Sequence, residues 1–196
     1  MAAHLRGSAW ITATEVASGL TGLGRVSVAS TPSTAAILYA RTVSHTNGVS
    51  TTTRLFKSEY TSGVWTSSVP ITPEEPESSS PEAFYAVDGT LRVVFLRAGH
   101  LVLLNPQTGE ERIGPVIDDG SFKLSVAADG SLTVIFSQSR TGQYDLFYAM
   151  FDAASETWGE PRHLTHDVAI ESSPSLVYLS SDQLFAGFAR TEPCGK

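Results

Sequence analysis

Three arginines, Arg41, Arg97 and Arg190, each close a run of strand-forming apolar residues, and Gln138 stands at the same place in a further run. Their shared register predicts that they gather on one face. A guanidinium fork binds carboxylate or phosphate in a bidentate way, so this set suits an acidic sugar or a C-terminal carboxylate. An acidic set lies in the loops leading into each run: Glu74, Glu75 and Glu77; Asp118 and Asp119; Asp167 and Glu171. The two sets also suit one another. Ion pairing between neighbouring loops is the competing and commoner use of such arginines.

The remaining candidates for chemistry are weaker. Calcium takes six to eight oxygen ligands, which acidic loops can supply, but no Asp-x-Asp-x-Asp-Gly spacing occurs and Asp118-Asp119-Gly120 reads as a turn. Solvated loop charge is the reading, with calcium the one cofactor left open. Of the five histidines, only His163-x-x-His166 has any ligand-like spacing. On an extended segment residues three apart point to opposite faces, so the pair is expected to be incidental. There is no Gly-x-Ser-x-Gly elbow and no phosphate loop. Carboxylate pairs for glycoside hydrolysis can be assembled from distant segments, and nothing in the sequence selects one.

The elements that would position these residues come from repeats. Residues 65–97 align without a gap with 158–190, so that Trp65 meets Trp158, Thr72 meets Thr165, Ser79-Ser80-Pro81 meets Ser172-Ser173-Pro174 and Phe95 meets Phe188. A third copy places Asp129-Gly130 and Val134-Ile135-Phe136 where Asp88-Gly89 and Val93-Val94-Phe95 stand. A fourth sets Trp10 against Trp65 and Ile37-Leu38-Tyr39-Ala40-Arg41 against Val93-Val94-Phe95-Leu96-Arg97. Four units in 196 residues give about 49 each, the length of one four-stranded propeller blade.

Within a unit, β-branched and aromatic runs separated by Asp-Gly turns read as an antiparallel meander. In the third unit the expected strands are 122–127, 132–138, 144–152 and 162–165. Helix signals are missing. The expectation is a single all-β, propeller-type domain, 1–196, with blades at roughly 19–73, 74–117, 118–165, and 166–196 joined by 1–18. In the last of these, residues 3–10 would serve as a third strand and 11–16 as a fourth, covering edges that otherwise invite association.

A hydrophobic fraction of 41% and a charged fraction of 17% describe a chain able to form a core. The net charge of −7 opposes nucleic acid and anionic membrane, which call for clustered basic residues. No apolar run approaches the roughly 20 residues of a spanning helix, and the N-terminus lacks a signal-peptide core. Cys194, the single cysteine, excludes an internal disulfide. Few lysines and much Ser, Thr and Gly suit an extracellular or cell-surface protein.

Two turns carry a resemblance. Asp152-Ala153-Ala154-Ser155-Glu156-Thr157-Trp158 keeps the Asp and the Thr-Trp of the Asp-box, Ser-x-Asp-x-Gly-x-Thr-Trp, with one residue too many and Ser in place of Gly. Tyr60-Thr61-Ser62-Gly63-Val64-Trp65 keeps only Gly and Trp. The wider unit resembles sialidase-like propeller blades and propeller segments of large bacterial surface proteins. That resemblance implies the fold, with Trp10, Trp65 and Trp158 as packing residues. The arginine triad, tyrosine nucleophile and acid/base residue of sialidases do not map onto this chain. The expected function is therefore a non-enzymatic recognition module for a protein or carbohydrate ligand, without catalytic or metal residues, and with self-association through open strand edges. The alternative is an anionic-glycan-binding or sialidase-like glycoside-processing domain using Arg41, Arg97, Arg190 and Gln138.

Overall fold

A computed structural model describes residues 5–6, 9–10, 16, 22–44, 48, 50–117, 121–140, 143–166, 169–180 and 183–192. The fold is all-β and propeller-like, built of antiparallel meanders, and it divides into two compact units, Met1–Ala83 and Phe84–Lys196.

In the first unit β1 (Leu5–Arg6) and β2 (Ala9–Trp10) pair with each other. The antiparallel pairing of Leu5 with Trp10 and of Arg6 with Ala9 overturns the expectation that residues 3–10 form one strand completing the last blade. Of the companion segment 11–16, only Val16 lies among the described residues. The main sheet runs β3 (Leu23–Ser30), β4 (Thr34–Ser44), β5 (Thr51–Thr61) and β6 (Val64–Trp65), with β7 (Val69–Pro70) also on β5. Leu38, Ala40 and Leu55 are buried on it, and Tyr39 stacks on Phe56 with ring centroids 5.8 Å apart.

β8 (Ser78–Tyr85) carries the chain into the second unit. There it begins a sheet of order β8, β9 (Leu91–Arg97), β10 (His100–Leu104) and β11 (Glu111–Val116). The next sheet is β12 (Phe122–Val126), β13 (Leu132–Arg140), β14 (Gln143–Asp152) and β15 (Thr157–Trp158), with β16 (Arg162–His163) on β14. β17 (Ile170–Ser180) and β18 (Gln183–Thr191) form a two-stranded sheet. The Asp-Gly hairpins form where the sequence places them, because Gly89 (φ 78°) and Gly130 (φ 89°) adopt the left-handed backbone that such turns require.

The core of this unit lies between its sheets, where Leu96, Leu101 and Leu103 meet Phe122, Leu132, Phe136 and Phe147. Each such side chain contributes about 1.5–3 kcal/mol on full burial. Trp158 closes the edge. Its ring lies 3.0 Å from where a Cβ on Gly114 would stand, and Nε1 donates to the Arg112 carbonyl at 3.3 Å.

The repeat extends to individual hydrogen bonds. Ser27 Oγ accepts from the backbone N–H of Ala83 at 2.9 Å, and Ser125 Oγ accepts from that of Tyr178 at 3.0 Å. Thr72 Oγ1 accepts from Leu55 N at 3.0 Å, and Thr165 Oγ1 from Leu146 N at 2.9 Å.

A carboxylate and histidine cluster as candidate functional site

The second of those threonines lies beside a fully buried carboxylate. Glu171, near the start of β17, is fully buried. Its Oε2 accepts from Thr165 Oγ1 at 3.0 Å, while Oε1 has no hydrogen-bond partner among the described residues. Ser137 Oγ on β13 donates to the Glu171 carbonyl at 3.2 Å, fixing the backbone beneath the side chain. A buried carboxylate with an unsatisfied oxygen is costly, which makes it a candidate for function.

Asp145 is the second such group. It is 7% exposed, lies on β14 opposite Gln138, and its Oδ1 also lacks a hydrogen-bond partner among the described residues. Next to it β16 ends after two residues, because the N–H groups of Leu164 and Thr165 both turn onto the carbonyl of Leu146. The chain folds back there and sets His166 edge-on to His163, with ring centroids 5.1 Å apart and planes at 81°. The expectation that His163 and His166 point apart fails for this reason, since it assumed an extended segment. One carboxylate oxygen of Asp145 and one nitrogen from each imidazole lie within 4.8 Å of one another. Among the described residues this is the group that could hold a metal.

The repeat shows how exceptional these positions are. In the 65–97 register His163, His166 and Glu171 correspond to Pro70, Pro73 and Ser78, and the matched threonine bonds set Asp145 against Arg54. In the first unit Arg54 instead donates to the Thr72 carbonyl from Nε and Nη2, at 3.0 and 2.6 Å, and faces Glu74 at 3.8 Å. The hydrogen-bond scaffold is shared, and the chemistry is confined to one copy.

An apolar cavity of about 420 Å³ adjoins the cluster, lined by Ile135, Tyr148, Leu164, Thr165, Leu176 and Phe188 among others. That volume lies within the range of small-molecule sites, roughly 300–1,000 Å³. A second pocket of about 300 Å³ lies between the Asp88-Gly89 and Asp129-Gly130 hairpins, and both its arginines are engaged by carboxylates: Arg112 pairs with Glu156, and Arg92 lies 3.9 Å from Asp88.

The residues expected to bind ligand have other engagements. Arg97 Nη1 pairs with Glu111 Oε2 at 2.7 Å and its guanidinium lies over Phe95, 5.0 Å from the ring centroid. Arg190, opposite Glu171 across the β17–β18 ladder, pairs with Glu192 at 2.9 Å and is 46% exposed. Gln138 sits opposite Asp145. Arg41 belongs to the first unit, where it lies 5.6 Å over Phe56 and its Nε has no hydrogen-bond partner among the described residues. Of the acidic loop residues, Glu77 accepts from Thr53 N, Glu171 accepts from Thr165, and Asp118, Asp119 and Asp167 lie outside the described residues.

The degenerate Asp-box acts as a turn. Asp152 Oδ1 accepts from the N–H groups of Ala154 (2.8 Å) and Ser155 (3.0 Å), and these bonds, Ser155 foremost, hold its carboxyl below the usual aspartate range.

No protein-family model matches the chain, and no curated protein sequence does. Among solved structures the fold is similar to an endo-arabinase from Bacteroides thetaiotaomicron, with a TM-score of 0.51 and 16% identity over 83% of this chain and 68% of that one. It is also similar to the GH43 protein BlXynB from Bacillus licheniformis, with a TM-score of 0.52 and 16% identity over 88% of this chain and 37% of that one. A third is the α-L-arabinofuranosidase PaAbf62A from Podospora anserina, with a TM-score of 0.50 and 10% identity over 93% and 68%. This chain thus spans about two thirds or less of each. At such identities the likeness is one of fold, a propeller. The expected non-enzymatic recognition module is overturned: the proteins sharing the fold are glycoside hydrolases, which the glycoside-processing alternative fits better. The sialidase relationship that the Asp-box turns implied is not what these structures bring out.

Proposed function

We propose that this chain is a carbohydrate-active module of the glycoside-hydrolase propeller type, acting on neutral, pentose-rich polysaccharide of the arabinan or xylan kind. The observation that carries the reading is Glu171, buried, oriented by Thr165 through one oxygen and, among the described residues, without a hydrogen-bond partner at the other. Hydrolysis of a glycosidic bond needs a carboxyl group to protonate the leaving oxygen and a second carboxylate on the other side of the sugar. Glu171 is the group we assign to proton transfer. The apolar cavity lined by Thr165 receives the sugar ring, and the Thr165 hydroxyl links that cavity to Glu171. Such a substrate is met outside the cell, where we place the protein.

The test is release of reducing sugar from arabinan, arabinoxylan and xylan by wild type and by Glu171→Gln, with thermal unfolding run in parallel. Activity lost in a variant that still unfolds cooperatively at a similar midpoint supports the assignment. If the folded wild type neither cleaves nor binds any of the three polymers, the reading is wrong.

A second reading, the acidic sugar of the sialidase-like alternative, is favoured by the half-exposed Arg190 at the same end of the sheet as Glu171. Its test is binding of acidic oligosaccharides before and after Arg190→Ala. Unchanged binding removes it.

A further inference from the structure

We infer that Asp145, His163 and His166 form a binding site for a divalent transition-metal ion, zinc foremost. The three side chains converge to within 4.8 Å of one another at their ligand atoms. A zinc ion with bonds of about 2.0–2.2 Å draws such atoms to about 4 Å or less, a small inward rotation for two exposed imidazoles.

Three further observations point to a ligand here. Asp145 is 7% exposed yet leaves Oδ1 without a hydrogen-bond partner among the described residues, a cost that a bound cation removes. His163 Nδ1 lies 3.3 Å from the Thr165 carbonyl. A carbonyl only accepts, so Nδ1 carries the proton and Nε2 presents its lone pair, the arrangement in which a metal-binding histidine is oriented by a backbone oxygen. The His163 ring is further held against Phe147, with centroids 4.1 Å apart. Finally, the first repeat keeps the threonine bond but carries Arg54, Pro70 and Pro73 at these positions, none of them able to serve as a ligand, so the fold itself does not require the triad.

Two nitrogens and one carboxylate suit zinc or a neighbouring first-row ion and do not suit calcium, which takes oxygen ligands. Three protein ligands leave a position open to water. The ion would also fasten the 163–166 turn to β14. Thr165 lies inside that turn, so the ion holds in place the hydroxyl that orients Glu171. The inference stands apart from the sugar reading, because metal binding is measured without any glycan.

The test titrates the full chain with Co²⁺ as a coloured probe, follows its visible absorption, and then competes with Zn²⁺. We expect one equivalent of Co²⁺ to give absorption bands that Zn²⁺ abolishes. His166→Ala and His163→Ala, both at exposed positions, should each weaken binding at least about tenfold, as loss of a ligand does. His100→Ala should not. Zn²⁺ should raise the thermal midpoint of the wild type by mass action, and that of His166→Ala far less. The inference is overturned by a folded chain that binds neither ion, by affinity unchanged in both histidine variants, or by Ca²⁺ stabilising the chain as well as Zn²⁺ does.

Discussion

Thr165 Oγ1 donates to Glu171 Oε2 at 3.0 Å and accepts from Leu146 N at 2.9 Å, so one hydroxyl joins the buried glutamate to the strand that carries Asp145. Replacing Thr165 with Val keeps the shape and removes both bonds. Leaving a buried N–H unpaired costs about 1–3 kcal/mol, and freeing Glu171 adds a loss of polysaccharide turnover. Thr72→Val removes the matching bond to Leu55 and should cost similar stability, read by urea unfolding, while leaving turnover unaffected.

Gly114→Ala should destabilise the second unit. The added methyl would meet the Trp158 ring at 3.0 Å, and that ring is hemmed in by its bond to the Arg112 carbonyl and by Phe151, 5.3 Å away. Overpacking of this kind costs about 1–3 kcal/mol. A urea midpoint equal to wild type would show that the indole shifts freely.

Acid should weaken the turn at 152–158. The Asp152 carboxyl is held below its ordinary value of 3.8 chiefly by the N–H of Ser155. Because the folded pKa is depressed, the contribution is complete above the unfolded value and fades as pH falls below 3.8 through the folded one. An NMR titration of the Asp152 carboxyl should give a midpoint under 3.8, and Asp152→Asn should abolish the acid sensitivity of the Ser155 amide.

The last sheet should drive association. Val177, Leu179 and Phe185 on β17 and β18 are exposed, Phe185 by 57%, and apolar strand surface of this kind adheres to its like. Phe185→Ser should lower the apparent mass at high concentration in light scattering. An unchanged, concentration-independent mass in both proteins would sink this expectation.

The all-β meander and its hairpins were legible in the sequence because they rest on local physics. Alternating β-formers specify strands, Asp-Gly specifies the turns at Gly89 and Gly130, and Trp65 and Trp158 mark the same edge in two copies. The repeat even foretold that Thr72 and Thr165 would be equivalent. Arg97 and Arg190 do form ion pairs, but with Glu111 and Glu192, neither of which belongs to the acidic loop set expected from the sequence.

The site was not legible, and the reason is geometric. Asp145 and His163 stand on different strands joined by a register that sequence does not state, and His166 reaches them only because two N–H groups share the Leu146 carbonyl and break the extended chain. A signal did exist in the repeat itself, at Pro70, Pro73 and Ser78 against His163, His166 and Glu171, where a shared frame changes from inert to reactive side chains. Sequence alone determined the strands and their turns, since these depend on neighbours along the chain. Only the tertiary structure decided which carboxylates are buried and which imidazoles meet, since burial and convergence depend on neighbours across it.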